Sequence, residues 1–220
     1  TLRDGYYGPL PEKVQSVIHR IGDRCDQITK RITDIIHLSN LRSLVVTEMN
    51  LTPVNLVAVL SEEANEAAII GKARRIKVIN LALRHPPVRV MGSFDHLKTL
   101  FSNLIQNAIN YSPDKTGRVV ISLQTSPGKA EVAVQDNGIG IPRESLDKIF
   151  DDHFRSKTAV VHHPGGSGLG LSIVKEILVL HGASIQVESI VGRGSSFTVR
   201  FNTIEGTQEK NHYGENSDNR

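Results

Sequence analysis

The chain has 220 residues, and its 26 Lys and Arg against 23 Asp and Glu leave a formal charge of +3, so it can bury one good core plus an appendage. Its positive residues are dispersed rather than gathered in a stripe, so no nucleic-acid partner is expected. A lone cysteine, Cys25, excludes an intramolecular disulfide and a thiolate metal site and fits a cytoplasmic location, and no apolar run approaches the roughly 20 residues that span a bilayer, so no membrane contact is expected of this chain.

Residues 1–47 are predicted to form one long helix. Pro9 and Pro11 stand at its start, where proline is tolerated. Val14, Ile18, Ile21, Cys25, Ile28, Ile32 and Ile35 then alternate at intervals of four and three, a heptad seam with Arg, Asp, Lys and Gln on the other faces. One helix cannot bury such a stripe by itself. The partner is expected to be a second copy, giving a homodimer, or a helix N-terminal to Thr1. The alternative is a helix lying on its own domain. The chain opens on Thr1 rather than Met and is expected to be a fragment or a processed chain, whose parent is free to carry a membrane anchor.

A linker at Thr47–Thr52, with Asn50 and Pro53 as breakers, leads into a second unit over 48–205. There a short edge strand is predicted at Pro53–Leu56 and a helix from Leu56 to about Arg74. Strands at Ile76–Leu83 and Val88–Met91 flank the His85-Pro86-Pro87 break. Ser93 or Asp95 caps a helix that runs to Tyr111. Val119–Gln124 and Ala130–Gln135 alternate like paired strands joined at Ser126-Pro127-Gly128. A short helix at Pro142–Phe150 precedes a polar loop at Asp151–Ser167. A helix at Gly168–Leu180 ends at His181-Gly182, and Ser184–Ser189 pairs with Ser196–Asn202. The fold class is therefore α+β: a two-layer sandwich of a mixed sheet and helices, preceded by the long heptad-patterned helix. The tail, 206–220, is polar and expected to be disordered.

Three sets of residues carry chemistry. Asn103 and Asn107 lie four apart on one face of the helix ending at Tyr111, where asparagine is disfavoured unless its amide has a task; an oxygen donor for Mg²⁺ is one. Taken alone, the pair also reads as ordinary helix-surface asparagine. Asp136 ends an alternating strand and precedes Asn137, Gly138, Ile139, Gly140 and Ile141. A carboxylate there can accept from the exocyclic amine of adenine, and the glycines let backbone approach the base; an Asx turn is the plain alternative. Gly166, Ser167, Gly168, Leu169, Gly170 and Leu171 open a helix, whose free N–H groups suit phosphates. The spacing matches neither the dinucleotide fingerprint nor a P-loop, and a glycine hinge is the alternative. Arg155 and Lys157, between the glycine segments, are placed to neutralise a γ-phosphate. His153, His162 and His163 have no metal-site spacing. Taken in order, the three sets suit ATP and Mg²⁺.

These motifs resemble those of the ATP-binding catalytic domain of sensor histidine kinases, within the superfamily shared with gyrase, Hsp90 and MutL. The resemblance covers about Pro53 to Asn202. Asn103 to Ser112 is similar to the family's N box, Asp136 to Ile141 to its G1 box, Ile149 to Arg155 to its F box, Gly166 to Leu171 to G2 and Gly192 to Phe197 to G3, all in family order. Val14 to Leu41 resembles the second helix of the family's dimerisation hairpin, with Gly5 to Pro11 as its turn. The resemblance implies a Bergerat-type ATP-binding fold in which Asn107 holds Mg²⁺ and Asn103 supports the phosphates. It also implies that Asp136 reads the adenine amine with Ser195 helping through water, that Tyr111 and Ile141 pack on the base, and that Arg155 touches the γ-phosphate. It implies a protein-histidine kinase whose partners are ATP, a phosphoacceptor histidine outside this chain and the receiver domain of a response regulator. Hydrolytic members carry a glutamate where Asn103 stands.

Three positions depart from the pattern. Asn110 stands where the N box usually has a basic residue, and His153 where the F box usually has a second aromatic. Neither His19, before Arg20, nor His37, before Leu38, has the acidic follower of a phosphoacceptor. The rival expectations are an ATP-hydrolysing clamp of the same superfamily, a nucleotide-sensing dimerisation module without activity, and a serine-directed kinase.

Overall fold

The computed structural model describes Gly8 and residues 11–44 and 50–204. The tail at 206–220, most of the turn at Gly5–Pro11 and part of the Thr47–Thr52 linker lie outside the described residues.

Helix α1 runs Glu12–Ser43, immediately after Pro11. Glu12 in its first turn and Arg42 in its last complement the helix dipole. Strand β1 (Thr52–Asn55) pairs antiparallel with β3 (Arg89–Gly92) as a small ribbon. Asn55 caps α2 (Leu56–Arg74) by accepting from the Val57 N–H at 3.1 Å. Strand β2 (Lys77–Asn80) follows, and Ser93 caps α3 (Phe94–Tyr111).

The main sheet has five strands in the order β2-β4-β5-β7-β6, completed by β4 (Arg118–Ser126), β5 (Lys129–Asp136), β6 (Ser184–Ile190) and β7 (Gly194–Asn202). Only β2 and β4 run parallel, because the excursion through β3 and α3 returns the chain in the same direction; the other neighbours are antiparallel. Alternation decides the faces. Val119, Ile121 and Leu123, Val132 and Val134, and Phe197, Val199 and Phe201 are buried against the helices. Ser122, Gln124, Glu131, Gln135, Thr198 and Arg200 occupy the opposite face. Helices α2, α3 and α5 (Gly170–Leu180) cover the apolar face, with α5 between α3 and α1.

Four elements differ from the sequence expectations, each for a local reason. The strand predicted at Ile76–Leu83 stops at Asn80, because the Asn80 side chain accepts from the Ala82 N–H at 3.0 Å and turns the chain into a 3-10 turn at Ala82–Arg84. The helix predicted at Pro142–Phe150 is one 3-10 turn, Arg143–Ser145, continued by i+3 turns rather than i+4 bonds. The polar segment Asp151–Ser167 contains a short helix α4, Lys157–His162, capped by Ser156. Helix α5 begins at Gly170 rather than Gly168, since Gly168 sits at φ +74°.

Helix α1 divides its faces. Its last turns lie on α5, with Leu38 and Leu41 in the common core and Arg42 forked onto Asp152 (2.8 and 2.9 Å) and onto Glu176 (2.8 Å). The heptad residues Val14, Ile21, Ile28, Ile32 and Ile35 stay between 42% and 58% exposed. The helix therefore lies partly on its own domain while its seam remains open. No helix among the described residues is long and apolar enough to cross a membrane.

Candidate functional site

Helix α3 supplies one wall. Leu100, Leu104, Ile105, Ala108 and Ile109 are buried, which turns Asn103, Asn107 and Tyr111, each four residues apart, toward a cavity. The Asn103 amide donates back to the Thr99 carbonyl at 2.9 Å, leaving its carbonyl oxygen on the cavity side near Gly170. The Asn107 amide has no hydrogen-bond partner among the described residues.

Strand β5, flanked by β4 and β7, delivers Asp136 to the same cavity. Burial pushes its carboxyl up to about 6, against the opposing effect of backbone N–H groups from Gly138 and Ser195. The Gly138 N–H donates to Oδ1 at 2.7 Å, so the Asx turn and the binding group are the same residue. The next turn is tied to β6 and β7: the Ile141 N–H donates to Ser189 Oγ at 2.7 Å, and that hydroxyl donates to the Gly194 carbonyl at 3.0 Å. Ser195 Oγ lies 3.0 Å from Ser189 Oγ.

The third wall is the segment from Asp151 to α5. Gly168 allows it to close, because a Cβ there would come within 2.8 Å of the His153 backbone. Helix α5 makes its first internal bond from the Ile173 N–H to the Leu169 carbonyl at 2.9 Å, which leaves the N–H groups of Gly170, Leu171 and Ser172 at an open helix start. The Arg155 guanidinium, expected on a γ-phosphate, lines the cavity but turns both terminal nitrogens onto the lid, residues 156–166, and its buried Nε has no partner among the described residues. It donates to the carbonyls of Ala159 (3.0 Å), Gly166 (3.1 Å), Pro164 (3.3 Å) and His163. His162 and His163 lie against Tyr111, ring centroids 6.2 and 6.3 Å away, on the residue expected to pack on a base. Burial, then the Arg155 charge, lowers the pKa of His163. No group of three or more His, Cys, Asp or Glu among the described residues is arranged to hold a metal ion.

One cavity thus gathers Asn103, Asn107, Tyr111, Asp136, Gly140, Ile141, Arg155, Gly166, Ser167, Gly168, Gly170, Leu171 and Ser195. Three candidates do not line it. Gly138 supports Asp136 from behind, Leu169 is 1% exposed in the core, and Lys157 opens α4 with its side chain exposed. The cavity also takes residues that the motifs did not point to: Gln27, Lys30, Arg31 and Asp34 of α1, and His163 of the lid. The α1 group carried a signal, an i, i+3, i+4, i+7 polar stripe, masked by the stronger heptad seam; the lid histidine carried none. A half-buried carboxylate, an uncommitted amide oxygen and an open helix start are the acceptor, hard-oxygen and anion-binding groups that an adenine amine, Mg²⁺ and a polyphosphate require.

A sandwich of this topology with such a cavity at the strand ends is a nucleotide-binding domain. Residues 92–204 match the family model for histidine kinase-, DNA gyrase B- and HSP90-like ATPases, and the chain belongs to that family. It is 30% identical over 208 residues to the phosphate regulon sensor protein PhoR of Pseudomonas aeruginosa (91% of this chain, 46% of that protein). It is 36% identical over 191 residues to the sensor histidine kinase RppB of Synechocystis (86% of this chain, 41% of that protein). The chain thus spans about half the length of these relatives. Among solved structures, the mycobacterial sensor histidine kinase MprB superposes with a TM-score of 0.59 at 29% identity, over 70% of this chain and 97% of that one. The catalytic domain of histidine kinase ThkA gives 0.60 at 28% identity, over 70% and 96%. ATP is the nucleotide that this family uses.

Proposed function

We propose that this chain is the kinase half of a sensor histidine kinase. It binds Mg-ATP and delivers the γ-phosphate to a histidine on a helix outside the chain; a receiver-domain aspartate of a response regulator then takes the phosphate. The observation that carries the reading is convergence: Asp136, the Asn107 amide and the open start of α5 face one cavity. Asp136 selects adenine as a hydrogen-bond acceptor. Asn107, supported by Asn103, offers the oxygen that would hold Mg²⁺, and the bound ion would draw charge from the phosphates. The N–H groups at Gly170 and Leu171 and the glycine segment before them orient the polyphosphate. Catalysis is then mostly positioning and electrostatic stabilisation. Arg155 acts first by holding the lid closed and reaches the γ-phosphate only when those carbonyls are released. Asn103 offers no carboxylate to activate water, and this favours transfer to a side chain over hydrolysis.

The seam of α1 supports a homodimer, since Ile21, Ile28, Ile32 and Ile35 stay exposed on the isolated chain. The test is phosphotransfer from labelled ATP to a supplied acceptor domain. With labelled ATP held below its Kd, Asn107→Asp abolishes transfer and Asp136→Asn lowers it roughly 30-fold; native-level transfer in either variant refutes the assignment.

A further inference from the structure

Helix α1 carries a second stripe besides its seam. Gln27, Lys30, Arg31 and Asp34 follow the i, i+3, i+4, i+7 spacing, and Leu38 and Leu41 continue the same face. At 100° per residue this stripe lies about 120° around the axis from the isoleucine seam. Its apolar end is seated in the core and its polar end lines the nucleotide cavity. Two contacts hold it there. Ser167 Oγ donates to Asp34 Oδ2 at 2.7 Å, and the Gln27 amide packs on Gly165, 3.0 Å from where a Cβ would stand. Lys30 and Arg31 lie between these two contacts.

The charge at this site is unevenly supplied. The permanent cations lining the cavity are Arg155, Lys30 and Arg31. Arg155 is committed to lid carbonyls. Asn110, on the same wall as Asn103 and Asn107, is neutral. Lys30 and Arg31 have no ion-pair or hydrogen-bond partner among the described residues. The stripe's one carboxylate, on Asp34, is short and held at Ser167, whereas the two cations are long and exposed.

Resting on the nucleotide reading above, we propose that α1 completes the nucleotide site: Lys30 and Arg31 bind the terminal phosphates of ATP, supplying the positive charge that Arg155 spends on backbone carbonyls. The helix that carries the dimer seam thereby also selects triphosphate over monophosphate. Nucleotide binding and the seating of α1 are then coupled, each strengthening the other.

The test is calorimetric titration of the whole chain with MgATP and with AMP. Each alanine substitution, Lys30→Ala or Arg31→Ala, weakens MgATP about fivefold, and the pair about 25-fold, as expected for partly screened charge contacts. AMP binding stays within threefold of the native value. The exchange variant carrying Lys30→Arg and Arg31→Lys keeps MgATP binding within threefold, because charge rather than shape is required. MgATP binding unchanged in the alanine pair overturns the proposal, as does an equal loss for ATP and AMP, or an exchange variant as weak as the alanine pair. A native chain that binds neither nucleotide overturns the ATP reading itself, and this proposal with it.

Discussion

Asp136→Asn separates stability from binding. Between the ordinary pKa of 3.8 and the raised value of about 6, the folded protein binds more protons than the unfolded one, so stability falls as pH rises through that window. At neutral pH the buried charge costs on the order of 3 kcal/mol. A neutral amide removes that cost and can still accept from the Gly138 N–H, so the nucleotide-free variant melts at a higher temperature than the native chain above pH 6. Binding moves the other way. Loss of a charge-assisted acceptor for the adenine amine weakens ATP by about 2 kcal/mol, or roughly 30-fold. The native protein loses affinity on acidification as well, by about tenfold from pH 7 to pH 5, because only the ionised carboxylate accepts fully and protons compete for it below about 6. Differential scanning fluorimetry and titration calorimetry between pH 5 and 8 read both effects. An ATP affinity that is flat with pH, or Asp136→Asn binding ATP within threefold of native, refutes the role given to this carboxylate.

Gly194→Ala would place a Cβ 2.0 Å from the Asp136 carbonyl at φ +104°; it should cost more than about 2 kcal/mol in urea unfolding. Arg155→Ala frees four lid carbonyls, and hydrogen exchange across 156–166 should quicken at least about tenfold; unchanged exchange would show that the lid closes without it. Leu38→Ala, at a site 5% exposed, should cost about 2–3 kcal/mol and loosen α1 from α5. Ile28→Ala, at a site 57% exposed, should leave the stability of the dilute chain unchanged and weaken self-association in sedimentation. Equal effects of these two substitutions would contradict the division of α1 into a seated face and an open one.

Strong local periodicity was readable directly. The Leu56–Arg74 helix, the helix ending at Tyr111 and the alternating strands of the sheet all formed where their patterns placed them, because the apolar face of each element is written within its own residues. The site motifs were readable for a related reason. A carboxylate at a strand end, stacked amides on a helix and a glycine-opened helix are each local devices, and Asp136, Asn107 and Gly168 share one cavity. The weak elements escaped. The helix in the Asp151–Ser167 segment is six residues long and takes its place from Arg155 and Ser156 rather than from an apolar stripe.

Sequence alone determined that α1 is a helix with an apolar seam, but not that a second stripe one-third of a turn away seats on α5 and reaches the nucleotide cavity. That choice depends on Leu38 and Leu41 finding the core and on Arg42 meeting Asp152 and Glu176, residues more than a hundred positions distant. It also singled out Arg155 as a cation of the site, but not that its fork turns onto the carbonyls of Ala159, His163, Pro164 and Gly166. Residue type and spacing state what a side chain is able to do; which of its possible partners it meets is set by non-local packing, and only the folded chain decides that.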